Sequence, residues 1–189
     1  MFTKCFLITA LAAIGASAHG VVTTPTPRGT GSTHKAACGA AVAKKLTDDL
    51  TGPIENSLAV VDSSTTDACN LLQCRGFTYA DNKAKVQTYS VGDVVDFEID
   101  LVAHHTGYAN VSVIDLASNT AIERLFTWPV YADSTLGPSK WPKNDTEFSV
   151  TIPDVSSECA TAGACAIQWF WYATENSQTY ESCVDFVIG

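Results

Sequence analysis

The chain has 189 residues, enough for one domain with a substantial core. Twenty acidic against 11 basic residues give a formal charge of −9, which argues against nucleic acid or an anionic membrane as partner and leaves a neutral polymer open. Seven cysteines are more than a chain kept in a reducing compartment would carry.

Lys4 is followed by an apolar run from Phe6 to Ile14 and then by Ala16-Ser17-Ala18, with alanine at both −3 and −1. This is the pattern of a secretory signal peptide, and the run is too short to span a bilayer. The expected layout is a removed signal, 1–18, and a single domain, 19–189, secreted, extracellular and monomeric. No membrane span or C-terminal lipid-anchor signal follows. Losing Lys4 leaves 10 basic against 20 acidic residues, a charge of −10.

Cleavage would make His19 the first residue, with its α-amine and an imidazole nitrogen close together. Their reference pKa values, roughly 7.7–8.0 and about 6.5, allow a metal to displace the protons near neutral pH. In the precursor the same main-chain nitrogen is an amide and a poor ligand.

Cys5 leaves with the signal, and Cys38, Cys69, Cys74, Cys159, Cys165 and Cys183 remain, read as three disulfides. Spacing alone allows about fifteen connectivities. The shortest loops favour Cys69–Cys74 and Cys159–Cys165, leaving Cys38–Cys183 to tie the ends. A four-thiolate zinc site is disfavoured because no two cysteines are separated by two residues. Asn110-Val111-Ser112 and Asn144-Asp145-Thr146 are N-glycosylation acceptors, with Asn144 favoured for its polar surroundings.

In chain order, Val21-Val22-Thr23 reads as a short strand ended by Pro25 and Pro27. From there to about Lys85 glycine, proline and Ser/Thr clusters predict loops pinned by cysteines, with one helical turn around Ala40–Leu46. His34 in this stretch reads as a surface residue. After Val86 the period becomes two: Val95, Phe97, Ile99 and Leu101 alternate with Asp96, Glu98 and Asp100. Further strands are predicted at Tyr108–Leu116, Ala121–Phe126, Phe148–Ile152, Ala166–Tyr172 and Thr179–Ile188. The fold class is all-β, an immunoglobulin/fibronectin-like antiparallel β-sandwich with long disulfide-pinned loops. Trp169 and Trp171 share one strand face and read as core. Trp128, Tyr131 and Trp141 lie in an irregular stretch where an exposed ring could stack on a sugar.

His104 and His105 sit at a turn between strands, and their adjacency lets only one face a metal. Gln178 and Tyr180 add an amide and a phenol at the start of the last strand. Three nitrogens with open tetragonal positions suit Cu(II), whereas zinc prefers a tetrahedral set for which no fourth ligand is visible. A distant axial phenol from Tyr180 would adjust the metal, and Gln178 would hydrogen-bond a bound oxygen species.

On His19-Gly20, the block His105-Thr106-Gly107-Tyr108-Ala109-Asn110-Val111-Ser112-Val113 and Gln178-x-Tyr180-x-x-Cys183, the chain resembles the fungal lytic polysaccharide monooxygenases. It is most similar to auxiliary activity family 16, associated with oxidative cleavage of cellulose. The resemblance implies one copper per chain, held by His19 and His105 with Tyr180 axial and Gln178 beside it. His105 is chosen over His104 because it directly precedes Thr106-Gly107-Tyr108. It further implies cellulose as substrate with C1 oxidation, an external electron donor, and O2 or H2O2. The alternatives are a copper-delivery protein of the same fold and a non-catalytic polysaccharide-binding module. A glycosidase is disfavoured because no two carboxylates can be assigned across a scissile bond.

Overall fold

The computed structural model describes residues 19–189, so the expected signal, 1–18, lies outside the described residues. Eight strands form two packed sheets. One sheet has the order β1-β3-β6, from β1 (His19–Thr24), β3 (Val94–Ala103) and β6 (Glu147–Thr151). The other has the order β2-β8-β7-β4-β5, from β2 (Gln87–Tyr89), β8 (Gln178–Ile188), β7 (Cys165–Ala173), β4 (Gly107–Asp115) and β5 (Thr120–Tyr131). All pairs are antiparallel except the short edge strand β2, which runs parallel to β8. No helix among the described residues is long and apolar enough to cross a membrane.

Alternation explains the packing. Val95, Phe97 and Ile99 of β3 face Ala109, Val111 and Val113 of β4 and Ile167, Trp169 and Trp171 of β7 across the sandwich, all buried. Acidic Asp96, Glu98 and Asp100 point outward from β3, as the period of two requires. Trp169 and Trp171 are fully buried, and so is Tyr131. Trp128 is buried too, so of the three rings in the irregular stretch only Trp141 reaches the surface. The extra length of β5 accounts for this. Trp128 pairs with Ala109 and Tyr131 with Gly107, which carries the strand on through residues whose Pro129 suggested a loop.

The stretch 25–86 contains no strand and holds more helix than expected. Helix α1 (Ser32–Asp48) is broken by a kink at Gly39, whose φ of +84° favours glycine. Two short helices, α2 (Ile54–Leu58) and α3 (Tyr79–Asn82), follow. These pieces bury Cys38, Val42, Leu46, Ile54, Leu71 and Phe77 in a small second core. The layer is fastened to the outer face of β8 by Arg28, whose Nε and Nη2 donate to both Asp185 oxygens at 2.7 and 2.6 Å. His34 corrects the surface expectation. It is fully buried, its Nδ1 lies 2.8 Å from the Gly76 carbonyl, and its ring meets Phe77 edge-on.

The disulfides are Cys38–Cys69, Cys74–Cys183 and Cys159–Cys165. Only the last matches the shortest-loop pairing. Closure entropy grows slowly with loop length, so sequence proximity selects partners weakly. Packing decides instead: Cys74 lies against Ile114, Ala166 and Cys183, whereas Cys69 packs on the cluster that contains Cys38. Non-reducing peptide mapping should recover these three pairs. Replacing both Cys74 and Cys183 by alanine, which opens a separation of 109 residues, should cost about 4–5 kcal/mol in urea titration. The same change at Cys159 and Cys165, a separation of 6, should cost about 2 kcal/mol.

Candidate metal centre

His19 begins β1 and pairs with Ala103 at the end of β3, so the His104-His105-Thr106 corner follows directly beyond it. A bulge separates His19 from Gly20. Gly20 is needed for close approach: a Cβ there would lie 3.2 Å from Trp169 and 3.4 Å from Leu101 and Trp171. The other sheet brings Tyr180, which stacks on Trp171 at 4.4 Å between centroids. Gln178, Tyr180 and Ser182 share the inward face of β8, and the Ser182 hydroxyl accepts from the Val22 amide of β1 at 3.1 Å.

His19 has side-chain exposure of 25%, and its Nε2 lies 3.5 Å from the Asp49 carboxylate. Its neighbour is also held, since the Gly20 amide donates to the Thr51 carbonyl at 2.9 Å. His105 is more enclosed, at 12% exposure, with Nδ1 at 3.9 Å from Glu175. Among the described residues that nitrogen is buried without a hydrogen-bond partner. Glu175 is occupied by the Thr106 amide and the Ser134 hydroxyl, each at 2.8 Å, which hold its carboxyl below the usual range. The turn joining β7 to β8 therefore braces the His105 corner just before Gln178 and Tyr180 begin. Gly107 permits the contact: any Cβ would strike the Tyr172 carbonyl oxygen at 2.0 Å.

His104 behaves differently. Its ring stacks on Trp141 at 3.5 Å, both of its nitrogens are buried without hydrogen-bond partners, and burial lowers its pKa. Trp141 is 38% exposed and keeps its Nε1 bonded to the Leu136 carbonyl.

Tyr180 is buried, and its hydroxyl donates to Gln178 Oε1 at 2.7 Å. Burial, reinforced by the Glu55 and Asp49 carboxylates and opposed by Arg75, pushes its pKa well above the ordinary phenol value. A neutral phenol is a weak donor to a metal. Asn176 Nδ2 donates to the same Gln178 oxygen at 2.7 Å. Among the described residues no three His, Cys, Asp or Glu side chains gather as a metal site. The imidazoles of His19 and His105 stand at this end of the sandwich. Nitrogen donors beside a neutral phenol fit copper.

One participant gave no sequence signal. Arg75 adopts φ +59° and is 3% exposed, and its guanidinium donates to the carbonyls of Asp49, Leu50 and Gly52. It thereby fixes the loop that carries Asp49 and Thr51 to His19 and Gly20. Glu181, on the opposite face of β8 from Tyr180, is 4% exposed. Burial lifts its carboxyl to about 7, against the Arg75 and Cys74 amides and the Arg75 charge. Burial likewise lowers Arg75 to about 10, against the attraction of Asp49 and Glu181. Glu181 Oε2 and Arg75 Nε both lack hydrogen-bond partners, which leaves desolvation the larger effect.

A raised carboxyl favours the fold while protonated. Its contribution is complete below about 4.5, the unfolded value, and is lost as pH rises through about 7. Unfolding free energy should thus fall by about 3 kcal/mol between pH 4.5 and 7.5 from this group, and Glu181→Gln should flatten that slope. Urea titrations of both proteins across that range measure the difference.

Residues 19–186 match the family described as "Lytic polysaccharide mono-oxygenase, cellulose-degrading". No curated protein sequence matches the chain. Among solved structures, an AA10 lytic polysaccharide monooxygenase from Streptomyces lividans is similar at 16% identity and a TM-score of 0.40, over 60% of this chain and 72% of that one. A cellulose-active polysaccharide monooxygenase from M. thermophila is similar at 17% identity and 0.43, over 65% and 60%. An AA15 lytic polysaccharide monooxygenase from Thermobia domestica, in its Cu(I) state, gives 15% and 0.43, over 90% and 98%. With the family match spanning nearly the whole sandwich, the chain belongs to the lytic polysaccharide monooxygenases, copper-dependent oxidoreductases that cleave polysaccharides oxidatively.

Proposed function

We propose that this chain is exported, cut between Ala18 and His19, and acts outside the cell on cellulose with C1 oxidation, as an enzyme of the auxiliary activity family 16 type. One copper would be held by the α-amine and imidazole of His19 and by the imidazole of His105. The observation that best supports this set is the register of His19 against Ala103, with His19 Nε2 turned to Asp49. Nδ1 is the ring nitrogen nearer the amine and the one that would chelate together with it. For His105 the approach of Nδ1 to Glu175 leaves Nε2 for the metal. When bound, copper would supply the redox chemistry that lets an external donor and O2 or H2O2 oxidise a C–H position beside the glycosidic linkage.

The protein's own contribution is placement and exclusion. Tyr180, kept neutral by burial, would stand beside the metal as a weak donor and limit access to it. Gln178 carries an amide beside it that can hold an oxygen species. The exposed face of Trp141, braced by His104, offers a flat apolar surface to a sugar ring.

Mature protein loaded with copper and incubated with cellulose should release aldonic-acid-terminated oligosaccharides only when a reductant is present. Products oxidised only at C4 would overturn the regiochemistry, and copper binding without any products would favour a delivery protein. One extra residue before His19 should weaken copper binding at least about tenfold by calorimetry, because it converts the amine to an amide. His105→Ala should abolish tight binding with the fold retained, and His104→Ala should cost less than about tenfold. Tyr180→Phe should keep affinity within about tenfold while shifting the copper paramagnetic resonance spectrum.

A further inference from the structure

We propose that Asn110 is an N-glycosylation site whose first sugar is seated on an aromatic patch of the sandwich's outer face. The inference rests on the export reading above. Ala109, Val111 and Val113 are fully buried on the inner side of β4, so Tyr108, Asn110 and Ser112 project from the outer side. Across the sheet Asn110 stands directly between Thr127 of β5 and Phe170 of β7, while Tyr108 is paired with Tyr172.

Asn110 is half-buried and Ser112 is 3% exposed, so the open part of this face lies toward Tyr108. The loop layer covers the other part of this face, where Ile114, Ala166 and Cys183 pack against Cys74. Beyond it Tyr108 is 44% exposed, and its ring lies 6.3 Å from Phe170 and 5.8 Å from Tyr172. Three rings therefore flank an acceptor asparagine on its β7 side and toward the start of β4, on a surface where polar side chains would be expected. Asn110 Oδ1 accepts from Ser112 at 3.2 Å, and among the described residues its Nδ2 has no partner.

The acceptor at the centre of the patch indicates what covers it. A pyranose presents one face of C–H groups and fits an aromatic ring, burying apolar area while its hydroxyls stay in water. Tyr108, two residues away on the same face, lies about 7 Å along the strand, and Phe170 about 5 Å across it. Both distances suit the first sugar on Nδ2. Asn144 lies in the exposed turn at Lys143–Asp145. In the transfer the N–C1 bond forms at Asn110 Nδ2. One Nδ2 proton is lost, and the diphosphate-lipid carrier of an activated oligosaccharide departs as leaving group.

The full chain should be expressed in a eukaryotic secretory host and recovered from the medium. Its proteolytic peptides are then treated with a glycan amidase in ¹⁸O water, which removes the glycan and converts each occupied asparagine to ¹⁸O-labelled aspartate. Asn110 should be marked in most molecules. Thermal unfolding is then compared for the parent, Asn110→Gln, Tyr108→Ser and the double variant, with Ser112→Ala as a second way to remove the acceptor. Loss of the glycan should lower Tm by about 3–5 °C in the parent and by half of that or less without the Tyr108 ring. Exported protein beginning at His19 but bare at Asn110 overturns this proposal alone, and equal Tm losses in both backgrounds overturn the aromatic seat. Failure of export overturns the secretion reading and this proposal together. If Asn110 is bare and Tyr108→Ser weakens adsorption to cellulose, the face serves the polymer and the proposal is wrong.

Discussion

The antiparallel pairing of β1 with β3 is the constraint on which the site depends. It sets His19 opposite Ala103, and two residues later the chain reaches His105. A one-residue slip would move His19 out of line with that corner and turn Val22 from the core toward solvent. Val22 is 2% exposed, and its amide is bonded to Ser182, so the register is held from both the core and the facing sheet. Gly20 lets the start of the strand settle on Trp169 and Trp171, which brings it beside the Tyr180 ring.

A buried charge supports that end from behind. Arg75 spends its guanidinium on three main-chain carbonyls of the loop that faces His19. Removing it would leave those carbonyls unpaired in a place water reaches poorly, a cost of about 1–3 kcal/mol for each group left buried. The Cys74–Cys183 disulfide adjoins Arg75 and anchors the same turn to β8. The helical layer thus acts as a bracket for the loop at 49–52 and joins it to the strand that carries Gln178 and Tyr180.

The strands were legible because one face of each is buried, and a period of two survives in Val95-Phe97-Ile99 and in Trp169-Trp171. The continuation of β5 was hidden because Pro129 and the neighbouring aromatics resemble a loop, although an edge strand tolerates proline. Helix α1 was underestimated because its hydrophobic stripe is interrupted by Gly39, where the kink falls. His34 looked exposed among small polar residues, but tertiary packing gives it a carbonyl and a ring. The segments bearing His19, His105, Gln178 and Tyr180 could be named from local motifs, and they meet at one end of the sandwich. Arg75 could not be named, because its role comes from a left-handed turn and from long-range carbonyls rather than from any spacing. The pairings Cys38–Cys69 and Cys74–Cys183 were hidden for the same reason.

The account's central claim concerns which atoms hold the metal, and a crystal structure of the mature, copper-loaded protein with diffraction measured at the copper edge tests it most directly. The account predicts one anomalous peak, within bonding distance of the His19 α-nitrogen, His19 Nδ1 and His105 Nε2, with the Tyr180 oxygen farther away on the axial side. A peak bonded to His104, or one that leaves the His19 main-chain nitrogen uncoordinated, would contradict it.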